Sequence, residues 1–219
     1  MNYLSLLIAL PAIGAALIGV FRIKDDDQVR KVGVVISIFT AALAISMAVN
    51  YDPSSNNVMQ FVETYTWIPA FGTSFSLGVD GIALTLIVLA TILVPVVLIA
   101  GWRESEGHRG SVRQYVVLTL VTEAMMIGVF AATDVFLFYV FFEAILIPMY
   151  ILIGRFGGPR ASYAAVKFLL YSLVGGLLML VSLIGLWVIS KEQFGAGTFD
   201  WFALQDLQMD GATQNRLFL

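Results

Sequence analysis

The stretch Ala132-Thr-Asp-Val-Phe-Leu-Phe-Tyr-Val-Phe-Phe-Glu143-Ala-Ile-Leu-Ile-Pro148-Met-Tyr150-Ile-Leu-Ile-Gly154 is an apolar run with one carboxylate near its middle. It is long enough to cross a bilayer, because a hydrocarbon core of about 30 Å needs about 20 helical residues. A charge at the centre of such a helix costs roughly 2.5 to 3.5 kcal/mol on insertion scales, and such residues usually face protein or trapped water and have a function there. Glu143 is therefore the first candidate functional residue.

The composition places the whole chain in the membrane class. Its 219 residues are 59% hydrophobic and 12% charged, with a mean hydropathy of +0.90, whereas soluble domains carry roughly 25% charged residues. The sequence predicts an all-α, polytopic membrane helix bundle that forms a single membrane domain over residues 1–219. The net charge is only −3 and the basic residues lie in short clusters, so the sequence does not indicate nucleic-acid binding. With no cysteine, the chain offers no thiolate for an Fe–S cluster or metal, so we expect any redox chemistry in a partner.

Six apolar runs are long enough to span the membrane. They lie near residues 3–21, 32–49, 80–101, 112–131, 135–153 and 162–189. The loops and flanks on one side of these runs hold ten of the 12 lysine and arginine residues, and the other side holds only Lys191 and Arg216. Because cytoplasmic loops carry an excess of basic residues, this bias predicts an amino terminus outside the cytoplasm.

The polar segments between the runs have structure of their own. Phe61–Ile68 and Thr73–Val79 are rich in β-forming residues and predict an outer β-hairpin, with an irregular loop as the alternative. Asp80 stands where the third helix needs an N-cap, which explains an aspartate there without a functional role, although such a role stays open. A short interfacial helix is predicted around residues 201–207. His108 is expected to be a solvated histidine in a charged cytoplasmic loop.

Two further ionisable residues lie within the apolar runs. The fourth and fifth runs are joined only by residues 132–134, so they must be antiparallel neighbours. Glu123 of the fourth run is then expected at a depth similar to that of Glu143, where two carboxylates can share a proton. Lys167 lies one or two turns into the sixth run. The structural alternatives are buried pairing for the glutamates and snorkelling of Lys167 to the cytoplasmic surface.

Three stretches carry a resemblance to a known family: Phe142-Glu143-Ala-Ile-Leu-Ile-Pro148-Met-Tyr150, Leu77-Gly-Val-Asp80-Gly-Ile, and Tyr163-Ala-Ala-Val-Lys167-Phe-Leu-Leu-Tyr171-Ser-Leu-Val-Gly175. In sequence and in order they resemble the antiporter-like subunits of proton-pumping NADH:quinone oxidoreductase (respiratory complex I), of the chain M (subunit 4) type. That fold has about fourteen helices. The resemblance implies that the chain is an amino-terminal fragment, ending before the seventh helix, which carries a further lysine in the family.

The resemblance also implies a function. Glu143, Lys167 and Glu123 would transfer protons through the membrane, coupled to redox chemistry in partner subunits. The chain would hold no cofactor or metal itself, and NADH, FMN, Fe–S clusters and quinone would belong to partners. Those partners are other membrane subunits of complex I, including other antiporter-like chains, and the expected location is the bacterial cell (inner) membrane.

Two other functions stay open at this point. The first is a subunit of a multi-chain Na⁺/H⁺ antiporter or of a membrane-bound hydrogenase, which share the fold and the buried glutamate and lysine. The second, of another class, is a passive membrane scaffold that anchors a redox complex. For a scaffold, a carboxylate in the middle of a membrane helix has no explanation.

Overall fold

The computed structural model describes residues 2–21, 23, 25–55, 57–103, 110–209 and 211. Within that part of the chain, six helices are long and apolar enough to cross a membrane, and they confirm the predicted helix bundle. They are α1 (Tyr3–Val20), α2 (Asp26–Val49), α3 (Gly81–Ala100), α4 (Val112–Ala131), α5 (Val135–Phe156) and α6 (Ala161–Phe194). A short helix, α7, covers Trp201–Gln205, inside the segment where one was predicted. His108 lies outside the described residues.

Helix α2 begins six residues before the predicted apolar run. The Asp25 carboxylate accepts a hydrogen bond from the Asp27 backbone N–H at 3.0 Å and so caps the helix. Asp26 and Asp27 occupy the first turn, where negative side chains favour the positive end of the helix dipole. The helix therefore starts at its polar cap, and only its later turns are apolar.

Helix α6 is longer than the hydrocarbon core. Its 34 residues correspond to about 51 Å at 1.5 Å per residue, against a core of about 30 Å. It runs five residues past the predicted end and stops at Gly195, whose φ of +79° is a left-handed conformation that glycine adopts without strain. The helix must therefore tilt or project beyond the membrane.

The predicted outer hairpin is present. Strands β1 (Gln60–Ile68) and β2 (Thr73–Val79) pair in antiparallel order, with Glu63 opposite Leu77 and Thr66 opposite Ser74. A 3₁₀ turn joins them and ends at Gly72, with φ +66°. The alternative of an irregular loop is therefore wrong. At the end of β2, the Asp80 carboxylate accepts from the Ala83 N–H at 2.7 Å, which confirms the predicted helix cap.

The hairpin is tied to two helix ends. The Glu63 carboxylate is buried and accepts from the backbone N–H groups of Leu4 (2.8 Å) and Ser5 (3.1 Å), and also from the Ser5 hydroxyl. The Glu63 carboxylate thereby supplies acceptors for N–H groups in the first turn of α1. The N-cap side chain of that helix makes no capping hydrogen bond. On the other side, the Asp134 carboxylate accepts from Ser74 of β2 and from the first N–H groups of α5. Burial raises the pKa of Asp134, while those three amide donors act in the opposite direction.

The bundle of α1 to α4 has two apolar clusters at different depths. The cluster nearer the hairpin contains Leu4, Leu7, Ala44, Met47, Leu77, Val79, Leu84, Ile87, Ile127, Ala131 and Leu137. The cluster at the other end contains Ala15, Ile18, Val29, Val94, Leu98, Val112, Val116 and Leu120. The second lies toward the predicted cytoplasmic side. The candidate functional site lies between the two clusters.

Replacing Glu63 by alanine is expected to destabilise the junction between α1 and the hairpin. The buried N–H of Leu4 and the partly buried N–H of Ser5 would lose their acceptor, so the free energy of unfolding should fall by about 1 to 3 kcal/mol. Thermal unfolding of the purified full-length protein measures this. Glu192→Ala, at an exposed glutamate near the end of α6, is the matched control and should change stability by less than about 0.5 kcal/mol. Equal midpoints for the two variants would contradict the proposed role of Glu63.

Candidate functional site: buried carboxyls of α4 and α5

A polar layer lies between the two apolar clusters of the α1 to α4 bundle. We define it by Ser37 and Thr40 of α2, Thr91 of α3 and Glu123 of α4, each of which is completely buried. On each of these helices the polar residue falls between one group of apolar core residues and the other. Helix periodicity therefore brings four polar side chains of three helices to one depth inside a hydrophobic bundle.

The register of α2 and α4 places Thr40 at the depth of Glu123. A side chain at Gly33 would overlap Val116, so these two residues are in direct contact. The two helices run in the same direction, because each follows an odd-numbered span. Seven residues make two turns, and seven residues on from this contact lie Thr40 on α2 and Glu123 on α4.

The hydrogen bonds of the polar layer leave acceptors without donors. The hydroxyls of Ser37, Thr40 and Thr91 donate to carbonyls of their own helices, at 2.9 Å, 3.0 Å and 3.0 Å. Both carboxyl oxygens of Glu123 are buried and have no hydrogen-bond partner in the described part of the chain. A hydroxyl oxygen whose proton is already used can only accept. The layer therefore suits a species that brings a donor or a positive charge, such as a proton, a water molecule or a cation.

Glu143 lies at the interface of α5 with α6. Its Cδ is 2.7 Å from the position that a Cβ at Gly176 would occupy, so the carboxyl rests directly on the α6 backbone. Its Oε1 is buried and has no hydrogen-bond partner. The residue as a whole is only half-buried. The carboxyl therefore has one face enclosed by protein and is not locked into an ion pair.

The structure does not bring Lys167 to Glu143. Contacts of Gly176 with Glu143 and of Gly154 with Ala165 set one antiparallel register for α5 and α6. In this register Lys167 lies nine residues from the level of Glu143, which is about 13 Å along the helix axis. Its side chain is exposed, and its ammonium lies 5.7 Å from the centre of the Tyr171 ring, one turn further into the span.

Glu123 and Glu143 lie within about one turn of each other in depth. Gly128 packs on Phe141, and Arg155 Nη1 donates to Gln114 Oε1 at 2.7 Å. Both contacts give the same antiparallel register for α4 and α5, in which the two glutamates differ by three residues, or about 4.5 Å along the axis. They do not hydrogen-bond to each other, because both oxygens of Glu123 and Oε1 of Glu143 are unpartnered. One points into the four-helix bundle and the other toward α6.

A cavity of about 600 Å³ between α3, α4 and α5 is a different feature. Its lining is apolar apart from the hydroxyls of Tyr115, Thr119 and Thr122, and it contains none of the three predicted site residues. The hydroxyls of Thr119 and Thr122 donate to carbonyls of their own helix. The cavity therefore provides apolar volume and is separate from the unpartnered carboxyls.

Sequence reasoning missed the other members of the site. Ser37, Thr40 and Thr91 are ordinary residues within long apolar runs, and Gly176 is one of several small residues in the sixth run. A usable signal existed, because each hydroxyl stands near the middle of its span, at the depth of Glu123. The rotation of each helix, which turns these residues inward, is not apparent in runs that are apolar on every side.

Glu123→Leu is expected to raise the stability of the full-length protein. Leucine has a similar volume and removes a carboxyl whose buried oxygens have no partner, so the free energy of unfolding should rise by about 1 to 3 kcal/mol. Thermal unfolding in detergent measures the change, with Glu123→Gln as the polar control. A loss of stability would mean that Glu123 has a structural partner and is not held for function.

Comparison with known proteins agrees with this geometry. Residues 132–213 match the family model described as NADH:quinone oxidoreductase/Mrp antiporter, TM. NADH-quinone oxidoreductase subunit M of Mycobacterium tuberculosis is 45% identical over an alignment of 226 positions, which covers 91% of this chain and 40% of the relative. The chain thus spans about 40% of the length of that relative.

Solved structures have the same fold. Respiratory complex I from Thermus thermophilus with bound NADH contains a chain that matches with a TM-score of 0.80 and 25% identity, over 98% of this chain and 41% of that chain. The Mrp complex from Dietzia sp. DQ12-45-1b matches with a TM-score of 0.70 and 23% identity, over 89% of this chain and 20% of that chain, and this likeness concerns the fold alone. Over residues 132–213 this integral membrane chain therefore matches the family of antiporter-like membrane subunits that NADH:quinone oxidoreductase and the Mrp antiporter share, and over most of its own length it is similar to subunit M.

Proposed function

We propose that this chain is part of a proton-translocating membrane subunit of NADH:quinone oxidoreductase and that Glu143 exchanges the proton. The observation that carries the proposal is the Glu143 carboxyl, which lies deep in α5 against α6 with an enclosed, unpartnered oxygen. The 45% identity to subunit M of Mycobacterium tuberculosis supports the choice of complex.

The proton chemistry follows from desolvation. Outside water, an isolated carboxylate loses its hydration, and the neutral acid does not pay this cost. A cation brought near the carboxyl offsets the loss and favours release of the proton, whereas its withdrawal favours uptake. Because no hydrogen bond in the described part of the chain fixes Glu143 Oε1, the carboxyl is free to respond to such a change.

Glu123 is proposed as a second proton site. It lies about one turn from the depth of Glu143, on the adjacent helix and inside the polar layer. Because the two carboxyls face different sides and share no hydrogen bond, transfer between them needs an intervening donor such as water. The free acceptor oxygens of the polar layer can hold such a water molecule.

Lys167 is proposed to take part from the predicted cytoplasmic side. Its distance from Glu143 of about 13 Å along α6 excludes a direct ion pair in this arrangement. A charge at that distance in a medium of low dielectric still acts on a carboxyl. Lys167 would thus modulate or deliver a proton, while the direct cationic partner of Glu143 would come from elsewhere in the full-length subunit.

The redox reaction is proposed to belong to other subunits. NADH, FMN, Fe–S clusters and quinone would bind there. This chain has no cysteine that could ligate an Fe–S cluster. Its partners would be other membrane subunits, including other antiporter-like chains, within the bacterial cell (inner) membrane.

A second candidate function is Na⁺/H⁺ exchange in a multi-chain antiporter. The family model covers both classes, and the Mrp complex has the same fold over 89% of this chain. The passive scaffold is less well supported, because a structural role does not account for two buried carboxyls without partners. The experiments below separate these possibilities.

Glu143→Gln, in the full-length subunit within the assembled complex, is expected to abolish most proton pumping. Glutamine keeps the shape but cannot exchange a proton, and a positioned proton-transfer group contributes roughly 100-fold or more to a rate. Proton uptake into inverted membrane vesicles and coupled NADH:quinone turnover measure the effect, and native gels measure assembly. Glu192→Gln is the matched control and should behave as wild type.

Full pumping by an assembled Glu143→Gln complex would favour the scaffold and reject the proposal. The same vesicles, assayed with and without Na⁺, test the antiporter. Proton movement that requires Na⁺ and proceeds without NADH would favour Na⁺/H⁺ exchange.

Glu123→Gln should reduce pumping less than Glu143→Gln does. Water in the polar layer can bypass one member of a relay, so we expect a decrease of about tenfold or less. The same vesicle assay, normalised to assembled complex, gives the comparison. A larger loss at Glu123 would make it the principal proton site.

A further inference from the structure

We propose that Gly176 is a positioning residue, whose missing side chain provides the space in which the Glu143 carboxyl lies. The inference rests on the proposed function of Glu143. A Cβ built at Gly176 would overlap Glu143 Oε1 and would lie 2.7 Å from Cδ and 3.3 Å from Oε2. The three atoms closest to that position all belong to this one carboxyl group.

The neighbouring glycine shows that this contact is specific. Gly175 precedes Gly176 in the same helix, is exposed, and has no atom within 4 Å of the position that its Cβ would take. Gly176 is buried. The two glycines therefore allow a matched test within one helix turn. A methyl added at Gly175 meets lipid or open space, whereas a methyl added at Gly176 meets the Glu143 carboxyl.

Backbone conformation does not explain the glycine at position 176. It lies in the interior of α6, and the described glycines with positive φ are Gly72 and Gly195. Glycine in a helix interior is less stable than alanine, because it loses more conformational freedom on folding. The compensation at Gly176 is the room that it gives to a carboxyl from the adjacent helix.

The space at Gly176 determines what surrounds the carboxyl. Backbone N–H groups in the middle of a helix are already bonded to carbonyls of the preceding turn, so the surface of α6 offers Oε1 no donor. Oε1 is enclosed there without a partner. The carboxyl is thus held in depth and direction by packing, while no fixed hydrogen bond holds Oε1. The Glu143 carboxyl can therefore be held in place by packing and still exchange a proton.

The test is a cycle of variants in the full-length subunit within the assembled complex. Gly176→Ala should lower the rate of proton pumping by about tenfold or more, since misplacing a reacting group by about 1 Å can cost as much as 100-fold. Gly175→Ala should change the rate by less than about twofold. Glu143→Asp shortens the acid by one methylene and makes room for the methyl, so Gly176→Ala combined with Glu143→Asp should pump faster than Gly176→Ala alone.

This rescue distinguishes positioning from general helix packing, because packing loss at Gly176 would not be repaired by a shorter acid. If the complex with Gly176→Ala does not assemble, the double variant Gly176→Ala/Glu143→Ala should assemble to the same extent as Glu143→Ala alone. The added methyl then no longer clashes with a carboxyl at position 143. Failure there would overturn the inference.

Two further outcomes separate the inference from the proposed function. If Gly176→Ala pumps as Gly175→Ala does, while Glu143→Gln is inactive, the positioning role is wrong and the function of Glu143 stands. If Glu143→Gln pumps at the wild-type rate, both are wrong.

Discussion

Inside a bilayer every polar group has to be satisfied by protein, because no water is available to do it. Most of this chain meets that requirement. Helices satisfy the backbone, and the hydroxyls of Ser37, Thr40 and Thr91 donate to carbonyls of their own helices. Within the described spans, both carboxyl oxygens of Glu123 and Oε1 of Glu143 are buried without a hydrogen-bond partner. Ionisable side chains that lie unsatisfied at this depth usually have a function, because they are costly to insert into a membrane.

The two acids occupy different settings, and this difference suits different roles. Glu123 is enclosed by a completed four-helix bundle with apolar clusters above and below it. Glu143 is only half-buried and lies where α6 packs on α5. A site inside a finished bundle can store a proton, whereas a site at an edge can be reached by further helices or water.

The sequence predicts the elements well because each leaves a strong local signal. Apolar runs predict the six spans, two segments rich in β-forming residues predict the hairpin, and the three-residue link makes α4 and α5 neighbours. Contacts between distant segments leave no such signal. The bonds of Glu63 to Leu4 and Ser5 join residues that are 59 and 58 positions apart, respectively. The separation of Lys167 from Glu143 depends on a helix register that small side chains set by close packing.

The hairpin restrains the outer end of the helix that carries the candidate proton site. Asp134 bonds both the start of α5 and the β2 strand, while Glu63 holds the start of α1 to the same hairpin. With its outer end fixed in this way, α5 cannot easily turn or slide relative to the four-helix bundle. A change in the surroundings of Glu143 then has to come from its other neighbours, namely a shift of α6 or the approach of a charge or water on the open side. The glycine contact at the α5–α6 interface lies where such a shift would act.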